Sequence, residues 1–162
     1  MLTTIVAVLG TLLGSIVTGT LQNKAADRTE RTAAATRLLR DQLNTIAQLT
    51  AAASDYRRAM RKRAQGQLAT NLTEAQLDRL RSESHAARGA ITQPMTMLRV
   101  LVPHPQLHDA AQAMVESAYL IRKAADSDEV QAAQEVARAA QDTFVKLAAE
   151  LFADSALTKV HA

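Results

Sequence analysis

Between Gln22 and Gln65 the chain runs for some forty residues without a proline or a glycine. A stretch that lacks both helix breakers has little to fold into other than one long helix. The rest of the sequence agrees with that constraint. Glycine (5) and proline (3) are scarce over all 162 residues, so the turn residues that hairpins require are missing. Aromatic side chains make up 2% of the chain, namely Tyr56, Tyr119, Phe144 and Phe152, and alanine and leucine dominate its apolar fraction. Helices that pack closely through small side chains have this composition. The expected class is all-α.

Ahead of that stretch lies MLTTIVAVLGTLLGSIVTGTLQNK, with no charge from Leu2 to Leu21. A helix of that length covers ~30 Å, the hydrocarbon thickness of a bilayer. A cleaved export signal would want a basic start and small residues before a cut, and the run offers neither. A soluble core helix that is apolar on every face would need more chain wrapped around it than the remainder supplies. The expectation is therefore a transmembrane helix over 2–21. Lys24, Arg28, Arg31, Arg37 and Arg40 follow the run, which by the positive-inside rule puts the N-terminus outside and the rest in the cytoplasm. Gly10, Gly14 and Thr18 share one ridge of that helix. Small residues so placed let two helix backbones approach in lipid, so a homo-oligomer is an open expectation.

Residues 22–35 (QNKAADRTERTAAA) contain no large apolar side chain and read as a helical stalk. The pattern over 36–155 predicts an up-down-up-down four-helix bundle, with 156–162 as a tail. Its first helix, about 36–65, carries a heptad seam of Leu39, Ile46, Ala53 and Met60, with Leu43, Leu49 and Tyr56 beside it. Thr73 with Gln76 forms a capping box that opens the second helix, about 74–102. Pro103 and Pro105 break the chain before a third helix at 106–125, with Leu107, Ala111, Met114, Ala118 and Ile121 inward. Asp126-Ser127-Asp128 caps a fourth at 128–153, which buries Val130, Ala137 and Phe144.

The net charge of +3 conceals an asymmetry. From Gln22 to Gln65 there are ten Lys/Arg against four Asp/Glu, and from Gly66 onward nine against twelve. Half of the first group sits in YRRAMRKR, where Arg57, Arg58, Arg61, Lys62 and Arg63 crowd two turns at the end of helix one. In an up-down-up-down bundle the loop ADSDEV lies at that same end, so Asp126, Asp128 and Glu129 are expected to face the cluster. The cluster would serve partner docking or this internal cap. It could also contact nucleic acid phosphates, though interleaved aromatics and any known nucleic-acid motif are missing. It begins ~50 Å beyond the span if the helix is straight, several Debye lengths from the bilayer.

Nothing in the residues points to catalysis. There is no cysteine, no P-loop, no G-x-G-x-x-G and no nucleophile elbow. His104 and His108 have a metal-compatible spacing, but Pro105 lies between them, and His85 has no second histidine to make a zinc motif. The expected protein is no enzyme, with no cofactor, no metal and no small-molecule substrate.

Three stretches carry a family likeness: AVLGTLLGSIVTGTLQ, SDYRRAM and SHAARGAITQPMTMLRVLVP. Taken in order, they resemble the KilB-like small membrane proteins of actinobacteria, which are often plasmid-encoded. The resemblance implies association with conjugative plasmid transfer or spread, and with plasmid-transfer proteins as partners. It supplies no catalytic residues. The positions that match its core are Arg57, Arg58, Met60, Ser84, His85, Arg88, Ile91 and Pro94. Pro94 also stands inside a helical pattern, where it removes a hydrogen bond and is expected to bend the helix.

Overall fold

The computed structural model describes the backbone of residues 2–160 and the side chains of residues 30–153. Four α-helices and one 3-10 turn account for it, with no strand among the described residues: α1 (Leu2–Leu68), α2 (Glu74–Leu101), α3 (Pro105–Leu120), a 3-10 turn (Ile121–Lys123) and α4 (Ser127–Val160). The chain divides into two units, residues 1–40 and 41–162.

In the first unit the described side chains are almost all exposed, and Thr36 Oγ1 donates back to Thr32 O at 2.9 Å. Leu38 and Leu39 are 46% and 38% exposed. The expected membrane helix, with Gly10, Gly14 and Thr18, lies outside the residues whose side chains are described. Among the described residues no helix is long and apolar enough to cross a membrane.

The second unit is the bundle, and its helix ends show why the chain turns where it does. Thr73 takes an extended conformation, its side chain accepts from Gln76 N, and Gln76 Oε1 accepts from Thr73 N at 2.8 Å. Two amide groups that α2 would otherwise leave unbonded are thus satisfied. Val102 ends α2 in extended geometry, as expected for the residue before Pro103. Pro105 then occupies the first turn of α3, where its missing N–H costs nothing.

Gly66 is helical, contrary to its expected place in the connection. Its role is close approach: a Cβ there would sit 2.5 Å from Leu80 Cδ1 and 3.1 Å from Leu72 Cδ1. The third helix ends at Leu120 and tightens into the 3-10 turn, short of the expected Ala125.

Side-chain bonds fix the helix directions. Gln42 Nε2 donates to Leu101 O at 2.7 Å and Arg63 Nη1 donates to Ser84 Oγ at 3.1 Å, so α1 and α2 are antiparallel. Ser54 of α1 meets Gln141 of α4, while Arg61 lines a cleft with Gln134, so α1 and α4 are antiparallel too. The core is one cluster. It takes Ile46, Leu49, Ala53, Tyr56, Met60 and Ala64 from α1 and Ile91, Met95 and Leu98 from α2. From α3 come Leu107, Ala111, Met114 and Ala118, and from α4 Val130, Ala137, Phe144 and Ala148. Ser84, Ile91 and Leu98, like Val130, Ala137 and Phe144, recur every seven residues, the period of helices packed at shallow crossing angles.

The upper end of the seam differs from expectation, since Leu39 and Leu43 are 38% and 47% exposed. Gln42 is level with the last turn of α2, so Leu43 lies where α2 is ending. Gln42 also satisfies a carbonyl that a helix C-terminus leaves free. Gln42→Ala should lower unfolding free energy by about 1 kcal/mol in urea titration, and an unchanged midpoint would remove this role.

Candidate functional site

Successive helical residues turn by about 100°, and this scatters the five cations of YRRAMRKR. Arg57 and Arg61 face α4, Arg63 faces α2, and Lys62 is exposed. Sequence proximity suggests one patch; the geometry makes two sites.

The first is a cleft between α1 and α4 of about 140 Å³, lined by Ser54, Arg57, Arg58, Arg61, Gln134 and Arg138. Arg57 Nη1 donates to Gln141 Oε1 at 2.7 Å, and the Ser54 hydroxyl donates to the same oxygen at 3.1 Å. Burial, with Arg138 beside it, lowers the Arg57 pKa below its ordinary value, and Asp142 opposes the shift. Arg58 pairs with Asp55 at 3.5 Å, but both side chains are mostly exposed, so the pair holds little energy. An adjoining cleft adds Gln131 and Glu135 to Arg61 and Arg138.

The acidic loop does not serve the basic cluster. Asp126 Oδ1 accepts from Glu129 N at 2.8 Å, and Glu129 Oε2 accepts from Ala125 N at 2.7 Å. Amides at the start of α4 are close in sequence and need these acceptors, so both carboxylates turn to capping. Among the described residues no ion pair joins this loop to Arg57–Arg63.

The second site lies where α1, α2 and the end of α3 meet. The Tyr119 ring has the Arg122 guanidinium 4.5 Å, the Arg88 guanidinium 5.7 Å and the Lys123 ammonium 6.0 Å from its centroid. Tyr56 is fully buried, and burial raises its pKa, with Tyr119 acting in the same sense and Arg88, Arg122 and Arg63 against it. Ser84, also fully buried, donates to Arg81 O at 2.7 Å while accepting from Arg63.

His104 and His108 serve structure. His104 caps α3, its Nδ1 accepting from Leu107 N at 3.3 Å, and His108 Nε2 donates to Val102 O at 2.6 Å. Among the described residues no group of three His, Cys, Asp or Glu could hold a metal ion.

A third cleft, of about 290 Å³, opens between α1 and α2 beside Thr45, Gln48, Gln93, Met97 and Leu101. Pro94 is buried in this part of α2, and the helix continues through it. Val100 nearby is 71% exposed.

The model of the KilB plasmid transfer protein family matches residues 43–152. The chain belongs to that family. Protein KilB of Streptomyces lividans is 40% identical over 156 residues, which cover 94% of this chain and 99% of that protein. No solved structure matches. The KilB family match spans both α1–α4 clefts and all of the α1–α2 cleft but Asp41, and the positions singled out by the sequence resemblance fall into physical groups. Met60, Ile91 and Pro94 are buried, Arg57 and Arg58 line the α1–α4 cleft, and Ser84 holds Arg63 while Arg88 stands over Tyr119. His85 is exposed.

Sequence reasoning missed Arg138, Gln141, Arg122 and Lys123. The signal for Arg138 was a lone cation in the alanine-rich stretch VARAAQ. For the other two cations it was their i+3 and i+4 spacing from Tyr119.

Proposed function

We propose that this KilB family member is a non-enzymatic, single-pass membrane protein whose cytoplasmic bundle docks partners in plasmid transfer or spread. The observation that carries docking is the α1–α2 cleft, where Gln48 and Gln93 stand beside exposed Met97, with exposed Val100 one turn further along α2. Exposed methionine and valine side chains beside groups that can hydrogen-bond give the mixed character of a reversible protein contact. Anchoring rests on the uncharged run 2–21 and the cations that follow it. Self-association through Gly10, Gly14 and Thr18 belongs to the same reading, with a second copy as one partner.

The test is a photo-crosslinking residue at Met97 in cells that carry the plasmid. The expected product is a plasmid-encoded transfer protein. Capture of nothing but copies of this chain would replace docking by an oligomeric scaffold. In the same cells, deletion of residues 2–21 should move the protein to the soluble fraction, and retention in the membrane would overturn the anchor.

A second reading, nucleic acid contact, gains from Arg138, which adds a cation from α4 to Arg57, Arg58 and Arg61. A salt-dependent DNA mobility shift, lost when those four are changed to Gln, would support it.

A further inference from the structure

Arg63, Arg88, Arg122 and Lys123 converge on Tyr119 and Tyr56, and among the described residues no ion pair joins a carboxylate to any of them. The ion pairs of the described residues lie elsewhere, at Arg58–Asp55, Arg79–Glu83, Arg81–Asp78 and Lys146–Glu150. Four cations gathered without a counterion repel one another, and a fold tolerates this where an anion completes the arrangement.

The hydrogen bonds make the same point independently. The Tyr56 hydroxyl, Arg63 Nε and Arg122 Nε are shielded from solvent and have no partner. Both guanidinium nitrogens can only donate. The cluster therefore holds unused donors where an acceptor is called for. Arg88 and Lys123 are exposed, so the locus is open to solution, while Tyr56 beneath it is fully buried.

We infer that this cluster is a binding site for a phosphate-class oxyanion. Its donors come from α1, α2 and the turn after α3. Arginine meets phosphate through pairs of parallel N–H bonds, and a tetrahedral oxyanion offers acceptors in several directions where a carboxylate offers two in one plane. Free phosphate and the phosphoryl group of a small monoester share this chemistry. A bound anion would join α1, α2 and the end of α3 and so stabilise the distal half of the bundle.

Thermal unfolding of the full-length chain in detergent, followed by circular dichroism, tests the site. Inorganic phosphate should raise Tm saturably, with half the effect at millimolar concentration, above the response to chloride at equal ionic strength. Arg88→Gln removes a side chain that makes no hydrogen bond in the structure. Without phosphate this variant should hold or gain Tm through relief of repulsion, and its phosphate response should fall at least threefold. A purely structural role would instead lower Tm and leave the response intact. Tyr56→Phe should also weaken the response, whereas an unused hydroxyl would leave it unchanged. Adenosine monophosphate acting at tenfold lower concentration than phosphate would make the ligand a phosphomonoester, and equal potency would make it the free ion. A phosphate response equal to that of chloride, or equal in wild type and Arg88→Gln, overturns the site.

Discussion

Phe144→Ala is expected to destabilise the bundle by about 4 kcal/mol, within the range for deleting a fully buried aromatic side chain. Phe144 is completely buried, and the other buried positions of α4 among the described residues are Val130, Ala137 and Ala148. Alanine-rich neighbours bring backbones close together but have no reach, so little can move into the space a phenyl ring leaves. The site lies one turn beyond Gln141, which meets Ser54, and the cavity would therefore open against α1 at mid-bundle. A unit of this size should lose roughly 10–20 °C in Tm. Urea titration would show a lower midpoint at unchanged slope. A loss under 1.5 kcal/mol would mean that the bundle collapses into the space. Phe144→Leu separates the two cases, since it keeps most of the volume and should cost under half as much.

The all-α class and the inward faces were legible because each rests on periodicity. Leu107, Ala111, Met114, Ala118 and Ile121 are all buried, as their spacing on the third helix requires. Thr73 with Gln76 marks a helix start by local chemistry, and the structure forms both of its bonds. Where a partner outside the local sequence decides the outcome, the pattern was silent. Leu39 continues the heptad and Leu43 lies beside it, yet both are exposed, because burial is set by what packs on a seam and not by the seam itself. The position of Gly66 inside α1 depends on Leu80 and Leu72 closing over it.

The same division runs through the candidate sites. YRRAMRKR is visible as a charge-dense stretch, but which cation faces which helix follows from rotation about α1. Arg57 and Arg63 are six residues apart in sequence and bond to different helices, to Gln141 and to Ser84. Topology alone puts the acidic loop beside the basic cluster. Local competition from the amides of α4 takes those carboxylates first, because a bond across three or four residues loses less chain entropy than one across the bundle. Arg88, Arg122 and Lys123 are unremarkable singly and form a site only around Tyr119.

Ser84→Leu is expected to cost roughly 4 kcal/mol by two routes that can be separated. The hydroxyl is fully buried, donates to Arg81 O and accepts from Arg63. Leucine there would force a larger side chain into an occluded position. It would also leave Arg63 with both Nη1 and the already unpartnered Nε lacking acceptors. Ser84→Ala keeps the packing and isolates the second route. Its cost should be about 1 kcal/mol, as alanine's helix propensity offsets part of the lost bond. In an Arg63→Ala background that cost should nearly vanish, because the group that needed the hydroxyl is gone. Additive effects would show that Ser84 matters to α2 alone. Non-additive effects would make Ser84 the residue that orients Arg63, and would give a physical reason for a small buried hydroxyl at this point of the chain.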